Sequence, residues 1–251
     1  MQPKSAPRSD GPRADGRSPA QIRPVEITRH WTKAVPGSVL YQCGRTRVFV
    51  TASVEDRVPP WMSGRGVGWV TAEYGMLPGS TKDRKGRPGP GGKVDGRTQE
   101  IQRLIGRALR AVVDMKALGE RTVWLDCDVL EADGGTRTAS ISAAYVALCD
   151  ALKGHEFKRP LERWPVKEAV AAISVGILNG RPLLDLDYSE DHRAEVDMNV
   201  VMTEGGRFLE VQGTGETRPF DTTEFQALLD LARDGVKQVL EVSRAALAKN
   251  A

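Results

Sequence analysis

"WLDCDVLEADGGTRTASISAA", residues 124–144, changes period halfway through. Leu125, Cys127 and Val129 alternate with Asp126 and Asp128, the two-residue period of a strand. After Gly134-Gly135 an alanine-rich run, "RTASISAAYVALCDAL", reads as a helix. Strand, tight glycine turn and helix in that order leave free backbone N–H groups at the turn, with the positive end of the helix dipole behind them. Such a turn favours a phosphate. Thr136 adds a hydroxyl donor, and Arg137 adds a planar guanidinium that matches a phosphate face. The turn is not a nucleotide-binding P-loop, which needs G-x-x-x-x-G-K-[ST] and its lysine. On spacing alone a plain strand-to-helix connection stays open, with Thr136 as the cap and Arg137 in solvent.

Upstream, short strands dominate. "VEITRHW", "GSVLYQCG" and "TRVFVTASVE" alternate, and the last two flank Gly44 as an antiparallel pair. Residues 79–97, "GSTKDRKGRPGPGGKVDGR", carry six Lys or Arg against two Asp, together with glycine and proline. That composition predicts an exposed, mobile, basic loop. "TQEIQRLIGRALRAVVDM" follows with Ile101, Leu104, Ile105, Leu109, Val112 and Val113 at helical spacing, and with Arg103, Arg107 and Arg110 on another face.

The second half repeats the theme. "AVAAISVGIL" and "PLLDLDY" read as strands joined at Asn179-Gly180, a strong hairpin turn. "EVDMNVVMT" and "RFLEVQGTG" form another pair across Glu204-Gly205-Gly206. "DTTEFQALLDLARDGVKQVLEVSRAALA" is a long helix opened by a capping box of Asp221 and Glu224. Both halves run from strands into helices, so the expected class is α/β (α+β), two related β-α units in one domain, without a residue-level repeat. Residues 1–12 read as a disordered tail and 13–251 as the single domain.

Two further clusters carry possible chemistry. Asp185, Asp187, Glu190, Asp191, Glu195 and Asp197 fall within thirteen residues. So much negative charge at a sheet end is compensated either by solvent or by a cation, and hard oxygen ligands suit Mg²⁺ or Mn²⁺. Asp191 and Asp197 stand out, one ending the acidic loop and the other opening the next strand. Lys82, Arg84, Lys85, Arg87 and Lys93, continued by Arg103, Arg107 and Arg110, are either solvated or track a polynucleotide backbone. His30, His155 and His192 share no spacing with Ser or Cys that would make a nucleophile triad.

Composition bounds the rest. The chain has 251 residues, a net charge of +3 and a hydrophobic fraction of 40%, enough to bury a sizeable core. Cys43, Cys127 and Cys149 have neither disulfide-framework nor zinc spacing, so a reducing, cytoplasmic setting is expected. No apolar run approaches the ~18–20 residues that span a bilayer, and the polar N-terminus has no signal-peptide core. No membrane partner is expected.

Together the motifs resemble the RNase PH family of bacterial phosphorolytic exoribonucleases. The matching stretches are "RADGRSPAQIRP", "GWVTAEYGMLP", "GRTQEIQRLIGRALRAVVD", "WLDCDVLEADGGTRTASISAA", "LLDLDYSEDHRAEVDMNVVMTEGGRFLEVQGTGE" and "PF" with the last helix. They run in family order from about residue 13 to 245. The resemblance implies the RNase PH fold and a homo-hexameric ring, a trimer of dimers. It implies that Arg97, Gly135, Thr136 and Arg137 bind inorganic phosphate, the co-substrate. Asp191 and Asp197 would support catalysis and hold Mg²⁺ or Mn²⁺. Arg84 and Arg87 fall among the family's tRNA-binding loop arginines, and Arg103 continues that basic surface. One departure is Gly79, directly after "MLP", where the family usually has Arg.

The implied activity is 3′→5′ phosphorolytic trimming of precursor tRNA and other RNA 3′ ends, releasing nucleoside 5′-diphosphates, with reversible nucleotide addition. Two alternatives belong to other classes. A catalytically silent RNA-binding ring subunit would be expected to lose the phosphate arginines or the aspartates, and this chain keeps them. A metal-dependent hydrolytic exonuclease needs the acidic cluster but no anion pocket.

Overall fold

The computed structural model describes residues 13–86 and 94–249. Arg87 and Lys93 of the basic loop, and the tail expected over 1–12, lie outside the described residues.

The first layer is a five-stranded sheet in the order β1-β2-β3-β5-β4. β1 (Val25–Arg29), β2 (Gly37–Cys43), β3 (Thr46–Glu55) and β5 (Thr122–Glu131) pair antiparallel, while β4 (Trp69–Met76) runs parallel to β5. The alternation read from sequence sets the faces. Val48 and Val50 face Tyr41 and Val39 in register, and all four are buried with Val123, Leu125 and Val129. α1 (Gly96–Val112) lays Ile101, Leu104, Ile105, Leu109 and Val112 onto this core; short α2 (Met115–Leu118) follows it.

The second layer is a four-stranded antiparallel sheet, β7-β6-β8-β9. It comprises β6 (Val170–Leu178), β7 (Arg181–Leu184), β8 (Val196–Thr203) and β9 (Phe208–Gly215), with α5 (Thr222–Ala248) packed across it. Asn179 and Gly180 make the β6–β7 turn with φ of 53° and 71°. The Asp221–Glu224 capping box opens α5 as expected.

α3 (Thr136–Gly154) lies between the layers, against β2 and β3 on one side and β6 on the other. It is buried all round rather than along a stripe, which explains its small, barely amphipathic side chains. A Cβ at Gly37 would stand 2.3 Å from the Ala147 carbonyl oxygen, so strand and helix backbones nearly touch. Ser142 Oγ donates to the Thr138 carbonyl at 3.1 Å and accepts from the Ala172 N–H at 3.1 Å, linking the helix to β6. The N-terminus of α3 therefore emerges where the end of β5 meets the second sheet.

Two expectations change. β7 stops at Leu184 instead of continuing through "DLDY", because Asp185 turns to φ 54° and buries its carboxylate. The basic loop is exposed over Lys82–Gly86, but Ser80 is buried and its carbonyl accepts from the Ala132 N–H at 2.8 Å.

Candidate active site

The turn after β5 is built on two successive left-handed residues, Gly134 (φ 81°) and Gly135 (φ 67°). Thr46 pins it: its hydroxyl donates to the Gly134 carbonyl at 2.7 Å and accepts from the Asp133 N–H at 2.9 Å. Gly135 is the N-cap of α3 and supplies no side-chain cap, so the first N–H groups of this long helix are left to an external acceptor. Thr136 is the first helical residue, not the cap. Its Oγ1 lies 2.9 Å from Tyr74 Oη, and burial pushes the Tyr74 phenol above its ordinary range. Arg137 donates to Gln212 Oε1 of β9 at 2.7 Å and stands 3.7 Å from Glu100 of α1.

Arg97 sits in the first turn of α1, exposed, with no ion pair among the described residues. Asp191 ends the short helix α4 (Tyr188–Asp191), and Asp197 is the second residue of β8. Burial pushes the Asp191 carboxyl up, against the opposing charge of Arg97 and Arg137. Burial pushes Asp197 up to about 6, and the neighbouring Asp191 charge adds to it. Arg97 and Arg137 are the cations acting on both aspartates, and Glu216 adds negative charge to each. The four charged residues singled out in sequence thus share one electrostatic neighbourhood beside the α3 N-terminus.

The rest of the acidic cluster has other duties. Asp185 pairs with Arg23 and Arg17, and Glu190 pairs with Arg13. Asp187 and Glu190 form the capping box of α4, and Glu195 pairs with Arg218 at 2.6 Å. Only Asp191 and Asp197 remain for a cation. No group of three or more His, Cys, Asp or Glu poised for a metal occurs among the described residues. Two partly dry carboxylates that repel each other fit Mg²⁺ or Mn²⁺, which keep waters and substrate oxygens in their coordination shell, rather than a closed protein cage.

The basic surface is thinner than expected. Arg84 and Arg103 are exposed, as an RNA-facing role requires. Arg107 pairs with Glu210 at 2.9 Å, and Arg110 lies over the Trp69 ring and donates to the Val70 carbonyl. Packing therefore withdraws Arg110 from the basic face.

Several neighbours were not singled out in the sequence. Asn199 lies on the same face of β8 as Asp197, two residues on, and is in register with both Ser174 and Gln212. That i, i+2 relation was legible. Tyr74, Glu100 and Gln212 come from three separate elements, and no spacing along the chain announces them.

The same arrangement of elements is found in solved structures of low sequence identity. Rice (Oryza sativa) Rrp46 superposes with a TM-score of 0.73 at 20% identity, over 94% of this chain and 100% of that one. The Archaeoglobus fulgidus exosome with RNA bound to the active site gives 0.77 at 22% identity, over 92% of each chain. An archaeal exosome core gives 0.73 at 21%, over 93% and 91%. Residues 21–153 match domain 1 of the 3′ exoribonuclease family and residues 168–235 match its domain 2. With most of its length accounted for by these two domains in order, the chain belongs to the 3′ exoribonuclease (RNase PH) family.

Proposed function

We propose that this protein is a phosphate-dependent 3′→5′ exoribonuclease that trims the 3′ extension of precursor tRNA and other RNA 3′ ends. One observation carries the reading. An uncapped helix N-terminus with Thr136 and Arg137 shares its electrostatic surroundings with Arg97 and a pair of aspartates whose carboxyls are pushed up. A hydrolase has no use for the anion site, and a silent ring subunit has no need of the aspartate pair.

Inorganic phosphate, held by Arg97, Arg137, Thr136 and the Gly135 turn, attacks the last phosphodiester in line. The bond from phosphorus to the 3′ oxygen of the penultimate nucleotide breaks, releasing a nucleoside 5′-diphosphate and a shortened RNA. Arg97 and Arg137 offset the repulsion between two anions and the charge of the transition state. Asp197, with its carboxyl near 6, holds a proton for the leaving 3′ oxygen. Alternatively, with both carboxyls ionised, Asp191 and Asp197 would hold Mg²⁺ or Mn²⁺, which would supply Lewis-acid stabilisation of that oxygen in place of the proton. Bond for bond the reaction is nearly balanced, so it runs backward as nucleotide addition.

Arg84, Arg87 and Arg103 hold the RNA backbone without reading bases. A homo-hexameric ring would guide one single-stranded 3′ end inward; the exosome chains that share the fold support such a context. The three cysteines are buried and free, which fits a reducing cytoplasm. Among the described residues no helix is long and apolar enough to cross a membrane.

The test is a tRNA with a short labelled 3′ extension, given Mg²⁺ with and without inorganic phosphate, for wild type and Arg137→Ala. Shortening that needs phosphate, yields nucleoside diphosphates and falls about 10²–10³-fold in the variant supports the reading. Monophosphates released without phosphate indicate a hydrolase, and binding without shortening indicates a silent subunit.

A further inference from the structure

Arg23 lies outside every motif that carries the proposed chemistry, yet it touches both of its halves. Its Nε donates to Asp185 Oδ2 at 2.9 Å, its Nη2 donates to Asp185 Oδ1 at 2.7 Å, and its backbone N–H donates to Oδ2 at 2.7 Å. The pair is buried, with side-chain exposures of 5% and 3%. The far side of the same guanidinium reaches the phosphate turn. Nη1 donates to the Asp133 carbonyl, and Nη2 stands 3.5 Å from the Gly134 carbonyl and 3.4 Å from that of Leu186.

Independent packing shows why a clamp is needed here. A Cβ on Gly134 would lie 2.5 Å from the Leu186 carbonyl oxygen and 3.0 Å from the Tyr188 backbone nitrogen. The turn that opens α3 thus rests directly on the segment that enters α4, whose last residue is Asp191. Asp185, at φ 54°, starts that segment. Arg13 reinforces it from behind, with Nη1 on the Leu184 carbonyl at 2.6 Å and Nη2 on the Asp185 carbonyl at 2.7 Å.

We propose that the Arg23–Asp185 pair is a positioning device that sets the phosphate turn, Asp133–Thr136, against the Asp185–Asp191 segment. It would keep the attacking phosphate and the Asp191–Asp197 pair at reacting distance. Neither residue touches substrate. A fork with five donors is required, because one side holds a carboxylate while the other holds peptide carbonyls; a lysine ammonium serves one side or the other. This inference rests on the phosphorolytic reading of the site.

The test compares wild type with Arg23→Lys, which keeps the buried charge, and with the double variant Arg23→Gln/Asp185→Asn, which removes both charges together and leaves no unpaired buried ion. Folding is checked by thermal melting, and KM is measured separately for inorganic phosphate and for RNA. A turn displaced by a fraction of an ångström raises phosphate KM and lowers kcat by about 10- to 100-fold, with RNA KM unchanged. A merely structural role would reduce the folded fraction and scale kcat down with both KM values intact. That pattern in whichever variant folds, or unchanged kinetics, overturns the inference. A wild type that releases monophosphates without phosphate overturns the functional reading, and this inference with it. A phosphorolytic wild type with unaffected variants overturns the inference alone.

Discussion

Tyr74 Oη lies 2.9 Å from Thr136 Oγ1, joining the middle of β4 to the first residue of α3. The Tyr74 phenol is buried and stays protonated well past neutrality. When it donates to Oγ1, the Thr136 hydroxyl proton is turned away from Tyr74 and is free for an anion at the helix N-terminus. Tyr74→Phe removes that constraint without opening a cavity. One hydrogen bond is worth roughly 0.5–1.5 kcal/mol, so phosphate KM should rise about 2- to 10-fold. RNA affinity should not move. Steady-state kinetics with phosphate as the varied substrate decides it, and an unchanged phosphate KM would remove Tyr74 from the site.

Glu100 stands 3.7 Å from Arg137, and both are only partly exposed. In the free enzyme this carboxylate neutralises part of the charge that phosphate needs. Glu100→Gln keeps the side chain's shape and removes the competitor. A partly exposed pair contributes about 0.2–1 kcal/mol, so phosphate KM should fall by up to about 5-fold. Higher salt should shrink the gain. A rise in KM would show instead that Glu100 holds Arg137 in its working orientation.

Asp197 links the site to stability. Its carboxyl keeps a proton up to about pH 6 in the folded chain, against 3.8 ordinarily. Between those values the unfolded chain ionises first. The favourable contribution is therefore fully present below about pH 4 and lost as pH rises through about 6. The loss amounts to about 3 kcal/mol. In Asp197→Asn it disappears, and relief of Asp191 adds in the same direction. Urea unfolding at pH 4 and pH 7.5, in chelator, should show the variant gaining on wild type at the higher pH. Mn²⁺ should stabilise wild type at pH 7.5 but not the variant. Parallel pH dependence in the two proteins would mean that Asp197 is well solvated.

What the sequence made legible follows from the range of the interactions. β3, β5 and α1 were readable because their signals are local: alternation in Val48 and Val50, helical spacing from Ile101 to Val112. α3 was readable by length and composition, although being buried all round left it no amphipathic stripe. Asp191 and Asp197 stood out within one acidic stretch. The fate of their neighbours did not, since Asp185 is claimed by an arginine 162 positions away and Glu190 by one 177 away. For the same reason nothing along the sequence announced that Arg13, Arg17 and Arg23 are buried, since their partners Glu190 and Asp185 lie on the far half of the chain.

Gly134 and Gly135 are both left-handed, yet they should tolerate substitution very differently. At Gly135 an added Cβ meets Arg23 Nη2 and Thr138 Oγ1 at 3.3 Å, side-chain atoms that would have to give by only a few tenths of an ångström. Gly135→Ala should therefore cost little beyond the left-handed backbone, about 1–2 kcal/mol. At Gly134 the Cβ meets three backbone atoms of the Leu186–Tyr188 segment, with the Leu186 oxygen 2.5 Å away. Peptide groups there cannot yield unless the α4 segment shifts, so Gly134→Ala adds overpacking of about 1–3 kcal/mol to the same backbone cost. Chemical unfolding should rank the variants with Gly134→Ala clearly the weaker. A Gly134→Ala protein that survives should also lose phosphate affinity, because relief of the clash moves the turn away from Asp191. Equal stabilities would mean that the turn and the Leu186–Tyr188 backbone are not in contact in solution, and the close approach that joins the two halves of the site would fall with them.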